Sequence, residues 1–309
     1  MKKIIIGTRP SRLAVAQTEI VINKLNKAYP EFKYEVKKIS TEGDRRLDTK
    51  LSDVKNKGFF IKEIEIALLN GEIDLAVHSF KDLPTNLPEK VTIAAIPSRA
   101  NPFDTLVSKD NLVIDQLPVG AKLGTGSLRR KSQLLSYRND LEIVPIRGNV
   151  ETRIEKIDSL DLDGVILAAA GLERLGLEDK ISEYLNPNIC LPAARQGAIA
   201  IETRKDDEII IDILTKVENK DTAATVKAEH AFLQFLEAGC HAPIGAYAEI
   251  NKGNIELRGA VGTVDGSKIY SGDITGARKD YGQLGRKLAE RLYDQGAKQI
   301  LAELNEEEI

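Results

Sequence analysis

The stretch Ile73-Asp74-Leu75-Ala76-Val77-His78-Ser79-Phe80-Lys81-Asp82-Leu83-Pro84 passes from an apolar run into polar residues within two positions. A short apolar run that stops so abruptly reads as a buried strand, Ile73 to Val77, which delivers the next side chains to the edge of a sheet. In open α/β sheets, ligands sit beyond the carboxyl ends of the strands, so a site is expected just past Val77. Asp82 is the one carboxylate of that turn, with Lys81 before it and Pro84 behind it. Two readings of Asp82 stay open on spacing alone: a turn or helix-cap residue, or the acidic group of a site. The rest of the chain, which repeatedly ends strands in arginines, weighs toward the second.

Working outward, the chain before this stretch reads as a strand over Lys3 to Gly7 and a helix capped by Ser11, running to Ala28 and ended by Pro30. A strand follows over Phe32 to Ile39. A long polar loop spans 40 to 58, and loops of that length inside a domain are usually functional, so a mobile lid is expected there. An amphipathic helix from Phe59 to Leu69 is stopped by Gly71. After the Asp82 turn comes a strand at Val91 to Ile96, then a linker over Pro97 to Pro102. A second series follows: strand Ala121 to Gly124, helix Ser127 to Tyr137, strand Leu141 to Ile146, helix Asn149 to Ile157, strand Val165 to Ala169, and a later strand at Ala198 to Glu202. Two such series imply two α/β domains with mainly parallel sheets. Past about Asp221 the pattern changes to a helix over Thr222 to Glu237. Three strand-like runs (Ala246 to Ile250, Ile255 to Val261, Lys268 to Ile274) and a helical pair from Tyr281 to Leu304 complete a third, α+β domain.

The 309 residues suit two or three domains. A formal net charge of -3 does not indicate a nucleic-acid surface, so basic residues matter only where they cluster. The apolar part of Met1 to Gly7 is too short for a signal peptide. The longest apolar run, Val165 to Leu172, is too short to span a bilayer. A cytoplasmic protein without membrane partners is expected, and its two cysteines, Cys190 and Cys240, do not suggest a disulfide framework there.

One device recurs in the second series. A strand ends in Gly124-Thr125-Gly126-Ser127 and a helix opens with Leu128-Arg129-Arg130. Another ends in Arg147-Gly148 before a helix that opens at Asn149 and carries Arg153. A third ends in Ala169-Ala170-Gly171, followed by Arg174. Arg9, with Ser11 behind it, repeats the arrangement after the first strand. Helix N-termini offer free amides to anions, and arginine adds a planar fork that matches a carboxylate. A single such arginine reads as a solvated surface charge; four strand-end sites in an acidic protein read as an anion-lined cleft. The anion is not read as a dinucleotide, because Arg129 stands where the fingerprint needs its third glycine. No P-loop is present, and the histidines His78, His230 and His241 have no metal-ligand spacing with the cysteines. No nucleophile elbow supports a Ser-His-Asp reading, and His78 reads as a core or strand-end residue. Cys240 lies in a tight loop after a helix that ends at Gly239, where either an accessible thiol or an inert buried one is consistent with the local pattern. Cys190, beside Leu191-Pro192, reads as core filler.

Taken together, Ala76 to Pro84, Gly124-Thr125-Gly126-Ser127-Leu128-Arg129-Arg130, Arg147-Gly148-Asn149-Val150, Ala170-Gly171-Leu172-Glu173-Arg174-Leu175-Gly176 and Gly239-Cys240-His241-Ala242-Pro243 resemble the hydroxymethylbilane synthase (porphobilinogen deaminase) family, nearly end to end. The resemblance implies two periplasmic-binding-protein-like α/β domains plus a smaller C-terminal α+β domain, with boundaries at 1–98 and 197–217, 99–196, and 218–309. It implies a monomeric transferase of porphyrin (heme) biosynthesis that condenses porphobilinogen head to tail into a linear tetrapyrrole, hydroxymethylbilane, releasing ammonia at each step. It further implies a dipyrromethane cofactor attached by a thioether to Cys240, catalysis by Asp82, and binding of cofactor and substrate by Arg9, Ser11, Lys57, Ser79, Lys81, Thr125, Ser127, Arg129, Arg130, Arg147, Arg153, Arg174 and Gln196.

The chemistry agrees with this assignment. Every porphobilinogen ring carries an acetate and a propionate, so the growing chain adds negative charge with each unit and calls for an arginine-lined cleft. The implied reaction passes through a cationic azafulvene-like species, which an anionic Asp82 paired to pyrrole N–H groups would stabilise. The chain departs from the family pattern at Arg195, where a glycine is usual; at Glu229-His230, usually Glu-Arg; at Ala238-Gly239-Cys240, usually Gly-Gly-Cys; and around Asp53 to Lys57, where only Lys57 matches. The rival reading is a non-catalytic cytoplasmic binder of small anions on the same two-lobed fold, which would need neither Asp82 nor Cys240.

Overall fold

The computed structural model describes residues 3–42, 61–236 and 242–307. In chain order its strands are β1 (Lys3–Thr8), β2 (Lys33–Lys38), β3 (Leu75–Ser79), β4 (Val91–Ala95), β5 (Asp104–Ser108), β6 (Lys122–Gly124), β7 (Glu142–Val144), β8 (Gly164–Ala168), β9 (Glu183–Tyr184), β10 (Ile199–Arg204), β11 (Ile244–Asn251), β12 (Asn254–Gly262) and β13 (Ile269–Ala277). They form three sheets, ordered β2-β1-β3-β10-β4, β7-β6-β8-β5-β9 and β11-β12-β13. The fold is therefore two α/β sheet-and-helix domains plus a smaller C-terminal sheet-and-helix domain. Contacts divide the chain into two compact units, 1–100 with 198–223, and 101–197 with 224–309.

The first sheet is covered on both faces. On one side Val21 and Leu25, from the helix Arg12–Ala28, pack with Ile4, Ile6, Leu75, Val77, Ile199 and Ile201. On the other, Ile64, Ala67 and Leu68, from the helix Lys62–Leu69, pack with Ile73, Ala76 and Val91. Ser11 starts the first of these helices as read, its Oγ accepting from Ala14 N at 3.3 Å. The key strand β3 begins and ends two residues later than its apolar run suggested. The Asp74 carboxylate accepts from Ile5 N at 2.7 Å, so the ladder opens at Leu75 and carries His78 and Ser79.

The sheets are mixed where mainly parallel ones were expected. β1, β2 and β3 run parallel, but β10 is antiparallel to both β3 and β4. β6, β7 and β8 run parallel, but β5 is antiparallel to both β8 and β9. Each inserted strand arrives from the other series rather than through a helical crossover within its own sheet, so nothing compels it to be parallel. β5, β9 and the helix Glu208–Thr215 were not read from the sequence.

In the second unit, β5–β9 enclose cores around Leu106, Leu123, Leu134 and Ile166 on one side and Val107, Ile146, Val165 and Leu167 on the other. The antiparallel β11-β12-β13 meander has its own core, in which Phe232 of the helix Lys220–Phe235 meets Leu257, Leu288 and Leu292. The closing helical pair, Tyr281–Leu292 and Lys298–Glu307, is joined through a π-turn in which Gly296 takes φ 132°. Among the described residues, no helix is long and apolar enough to cross a membrane.

Candidate active site

In the first unit, β3 runs directly into a single 3₁₀ turn, Phe80–Asp82. Phe80 N donates to Ala198 O at 3.0 Å and Leu83 N to Phe80 O at 3.2 Å, while the Phe80 and Leu83 side chains are buried. Asp82 is thus held on a short turn between two apolar anchors, with its own side chain exposed. It borders a depression of about 70 Å³ that Arg9, Ser11, Gln17, His78 and Ser79 also line. Ser79 Oγ accepts from Gln17 Nε2 at 2.8 Å. Lys81 is half-buried in the same turn.

Beneath this turn lies an unread pair. His78 is 6% exposed, and its Nε2 is 3.1 Å from Oε2 of Glu202, which is fully buried on β10. Glu65, from the helix above, has its carboxyl pushed up to about 7, chiefly by burial and then by the Glu202 charge, against the opposing influence of His78. The core placement expected for His78 holds, but with a carboxylate behind it.

In the second unit, Thr125 and Ser127 build the turn after β6. Ser127 N donates to Thr125 Oγ1 at 3.2 Å, and Ser127 Oγ caps the helix Leu128–Tyr137 by accepting from Arg130 N at 3.4 Å. Between them Gly126 has no room for a side chain, since a Cβ there would lie 2.7 Å from Ile146 O. Arg129 and Arg130 do not stand open at the strand end as the recurring pattern suggested. Both are 4% exposed and converge on Asp104, itself fully buried at the start of β5. Arg129 Nη1 lies 2.8 Å from Asp104 Oδ2, and Arg130 Nη2 lies 2.6 Å from Oδ1. Arg129 also donates to Leu191 O at 2.7 Å, and Arg130 to Ile166 O at 2.7 Å. Gln196 joins the cluster, its Nε2 donating to Asp104 Oδ1 at 2.9 Å and to Pro102 O at 2.7 Å. Burial alone would raise the Asp104 pKa, but the two guanidiniums overcome it and hold the carboxyl well below the usual range.

Cys190 sits in the same cluster, its Sγ 3.4 Å from Asp104 Oδ2 and 3.3 Å from Arg129 Nη1. Burial, then Asp104, pushes its thiol up to about 12. It is therefore a neutral, inaccessible thiol, and it makes polar contacts that the core-filler reading did not include.

The remaining arginines surround their own turns. Arg153 Nε donates to Gly148 O at 2.8 Å, and Lys156 Nζ donates to Arg147 O at 2.9 Å. Asn149 caps the helix Val150–Ser159 through Thr152 N at 2.8 Å. Arg174 lies on the seven-residue helix Ala169–Leu175, which begins where the strand was expected to end. Its Nη2 donates to Gly197 O at 2.7 Å while its buried Nε–H has no partner among the described residues. Burial lowers its pKa to about 10, which leaves it cationic at neutral pH.

Two departures from the family pattern meet in space. Arg195 is 1% exposed and adopts the left-handed conformation, φ 68°, that favours the glycine usual there. Its N–H donates to Glu229 Oε2 at 2.6 Å and its Nη1 lies 3.4 Å from His230 Nδ1. Burial first, and Arg195 second, lower His230 to about 4, so at neutral pH the imidazole is an uncharged acceptor for the guanidinium.

Cys240, Lys57 and nearly all of the loop expected as a lid lie outside the described residues. Sequence reasoning missed Asp104, Glu202, Glu65 and Gln17. The available signal for the first two was a carboxylate adjoining an apolar strand: Asp104 before Thr105-Leu106-Val107, and Glu202 after Ala198 to Ile201.

Comparison with known proteins is consistent across the chain. The family model described as porphobilinogen deaminase, dipyromethane cofactor binding domain, matches residues 4–212, and that described as porphobilinogen deaminase, C-terminal domain, matches 223–294. The porphobilinogen deaminase of Oceanobacillus iheyensis is 49% identical over 308 residues, covering 99% of each chain. That of Halalkalibacterium halodurans is 49% identical over 98% of each chain, and that of Geobacillus kaustophilus 47% over 99% of each. Among solved structures, the methionine-binding protein MetQ aligns with 70% of this chain and 88% of its own at 14% identity and a TM-score of 0.43. With both family domains matched in order and relatives this similar over their whole length, the chain belongs to the porphobilinogen deaminase family.

Proposed function

We propose that this protein condenses four porphobilinogen units head to tail into hydroxymethylbilane, releasing ammonia at each step, as a transferase of tetrapyrrole synthesis. The observation that carries the reading is the match to both domains of the family along nearly the entire chain. Asp82 is the catalytic group. Its turn fixes a carboxylate at the mouth of a depression, where negative charge would stabilise the cation left when ammonia departs.

The residues of the second unit fit a dipyrromethane, which bears an acetate and a propionate on each ring. Arg147, Arg153, Thr125 and Ser127 supply donors at successive strand ends, and the buried Arg174 Nε–H lacks, among the described residues, an acceptor that a carboxylate would provide. When bound, the cofactor supplies the pyrrole carbon to which the first unit is joined. Cys240 is the proposed point of attachment, through a thioether. Arg9, Ser11, Lys57, Ser79, Lys81 and Gln196 remain the further proposed contacts to carboxylates. Arg129 and Arg130 act differently: by gripping Asp104 they hold the Thr125–Ser127 turn in place. The protein is proposed to act as a cytoplasmic monomer with the domain boundaries given above.

Intact mass spectrometry, paired with a porphobilinogen consumption assay, tests the reading. The expected result is an active wild type heavier than its sequence by two linked pyrrole units, and an unmodified, inactive Cys240→Ser. An unmodified wild type that consumes no porphobilinogen would sink the proposal in favour of a simple anion binder.

A further inference from the structure

The buried His78–Glu202 pair beside the Asp82 depression has no work in the mechanism above. β3 and β10 are registered so that Ala200 faces His78 and Glu202 faces Ala76, which makes positions 78 and 202 diagonal neighbours on one face of the sheet. Glu202 Oε2 meets His78 Nε2 at 3.1 Å, while Oε1 is buried with no hydrogen-bond partner among the described residues. A fully buried carboxylate that satisfies only one oxygen is an expensive way to build a core. Arg204, two residues along β10, is taken up by Asp207, Leu68 O and Ile73 O. Among the described residues, the other charged groups near the pair include Glu65 from the covering helix, and Asp82 and Arg9 around the depression. A carboxylate behind an imidazole fixes the orientation of the ring, as in other acid–base sites.

We propose that His78, backed by Glu202, is the proton acceptor of the condensation. The proposal rests on the function inferred above. The aminomethyl group, an ammonium at neutral pH, loses ammonia with the C–N electron pair, and a cationic methylene-pyrrole remains. The terminal ring carbon of the growing chain attacks it, and the new C–C bond forms. The C–H bond at that ring carbon then breaks: its electron pair restores the aromatic ring and its proton goes to Nδ1 of the imidazole, Nε2 being held by Glu202, and passes on to ammonia or water. No oxidant or reductant is needed. Asp82 is ill suited to this step, because taking the proton would remove the negative charge that faces the cation. A second acceptor lining the same depression separates the two tasks.

The test is the pre-steady-state kinetics of the second and later additions to cofactor-loaded enzyme, with loading checked by intact mass, on porphobilinogen carrying deuterium or hydrogen at its free ring carbon, the bond that breaks when the next unit joins. His78→Gln should slow condensation by about 100-fold or more, the scale of losing a positioned general base. The isotope effect should rise well above that of the wild type, because C–H cleavage becomes limiting. Glu202→Gln keeps the shape of the pair and should also slow the reaction with a raised isotope effect. Wild-type rates in both variants, or slower rates with an unchanged isotope effect, would assign the pair a structural role and overturn the proposal. If His78→Gln does not fold, Glu202→Gln decides by the same two readings. A wild type that consumes no porphobilinogen at all would instead overturn the function, and this role with it.

Discussion

Asp82 and Asp104 are both acidic residues at strand ends, and their surroundings are opposite: one is exposed and the other buried. Asp104 is sealed between two guanidiniums, so it is a structural charge. Asp104→Asn should destabilise the protein by about 3–5 kcal/mol, the usual result of breaking a buried pair from one side, measured as a fall in denaturant midpoint. Because its folded-state pKa lies below the unfolded value, Asp104 contributes stability that is present above about pH 4 and is lost as pH falls below it. Arg129→Leu should likewise damage the fold, whereas Arg147→Leu should leave the melting curve in place and impair cofactor loading. Asp82 is exposed, and Asp82→Asn in loaded enzyme should keep the fold and lose at least ~100-fold in turnover. Asp82→Glu, with the charge displaced by one methylene, should retain part of the rate. Near-wild-type turnover of Asp82→Asn would return Asp82 to the role of a turn residue. Glu65 has the reverse sign. Its folded pKa of about 7 is above the unfolded value, so the folded state is penalised as pH rises from about 4.5 through 7. Glu65→Gln should therefore stabilise the protein at pH 8 by on the order of 1–2 kcal/mol, discounted for its half exposure, and hardly at pH 4.

The best-read elements are those whose boundaries are written in local chemistry. Ser11, Ser127 and Asn149 each announce a helix, and each side chain caps it. Ser127→Ala should cost about 1 kcal/mol of stability and, by freeing the turn that Thr125 and Ser127 share, should weaken cofactor retention as read by intact mass. A loss of stability with full retention would separate the cap from the site. The Asp82 turn was legible for the same reason, since an apolar strand ends in it. Legibility failed where the deciding partner is distant in sequence. Arg129 and Arg130 look the same whether they face solvent or a core, and Asp104, which turns them inward, lies 26 residues before Arg130. Glu202 is 124 residues from His78. β9 is two residues long and carries no periodicity to read.

At the scale of the whole chain, the governing feature is that each α/β sheet holds, between its third and last strands, one strand running against its neighbours: β10 in the first and β5 in the second. Among the described residues β4 pairs only with β10. A chain truncated after Gly197 should therefore fail to complete its first sheet, and limited proteolysis should degrade residues 3–100; protection of that region would contradict this. The same arrangement sets a timetable for synthesis on the ribosome. When β4 emerges, its partner is more than a hundred residues from being made. At 5–20 residues per second, β3 and β4 wait roughly 5–20 s with hydrogen-bonding edges exposed. The first sheet is thus begun before the second and finished after it, and its newborn form is the one a holding chaperone would be expected to meet.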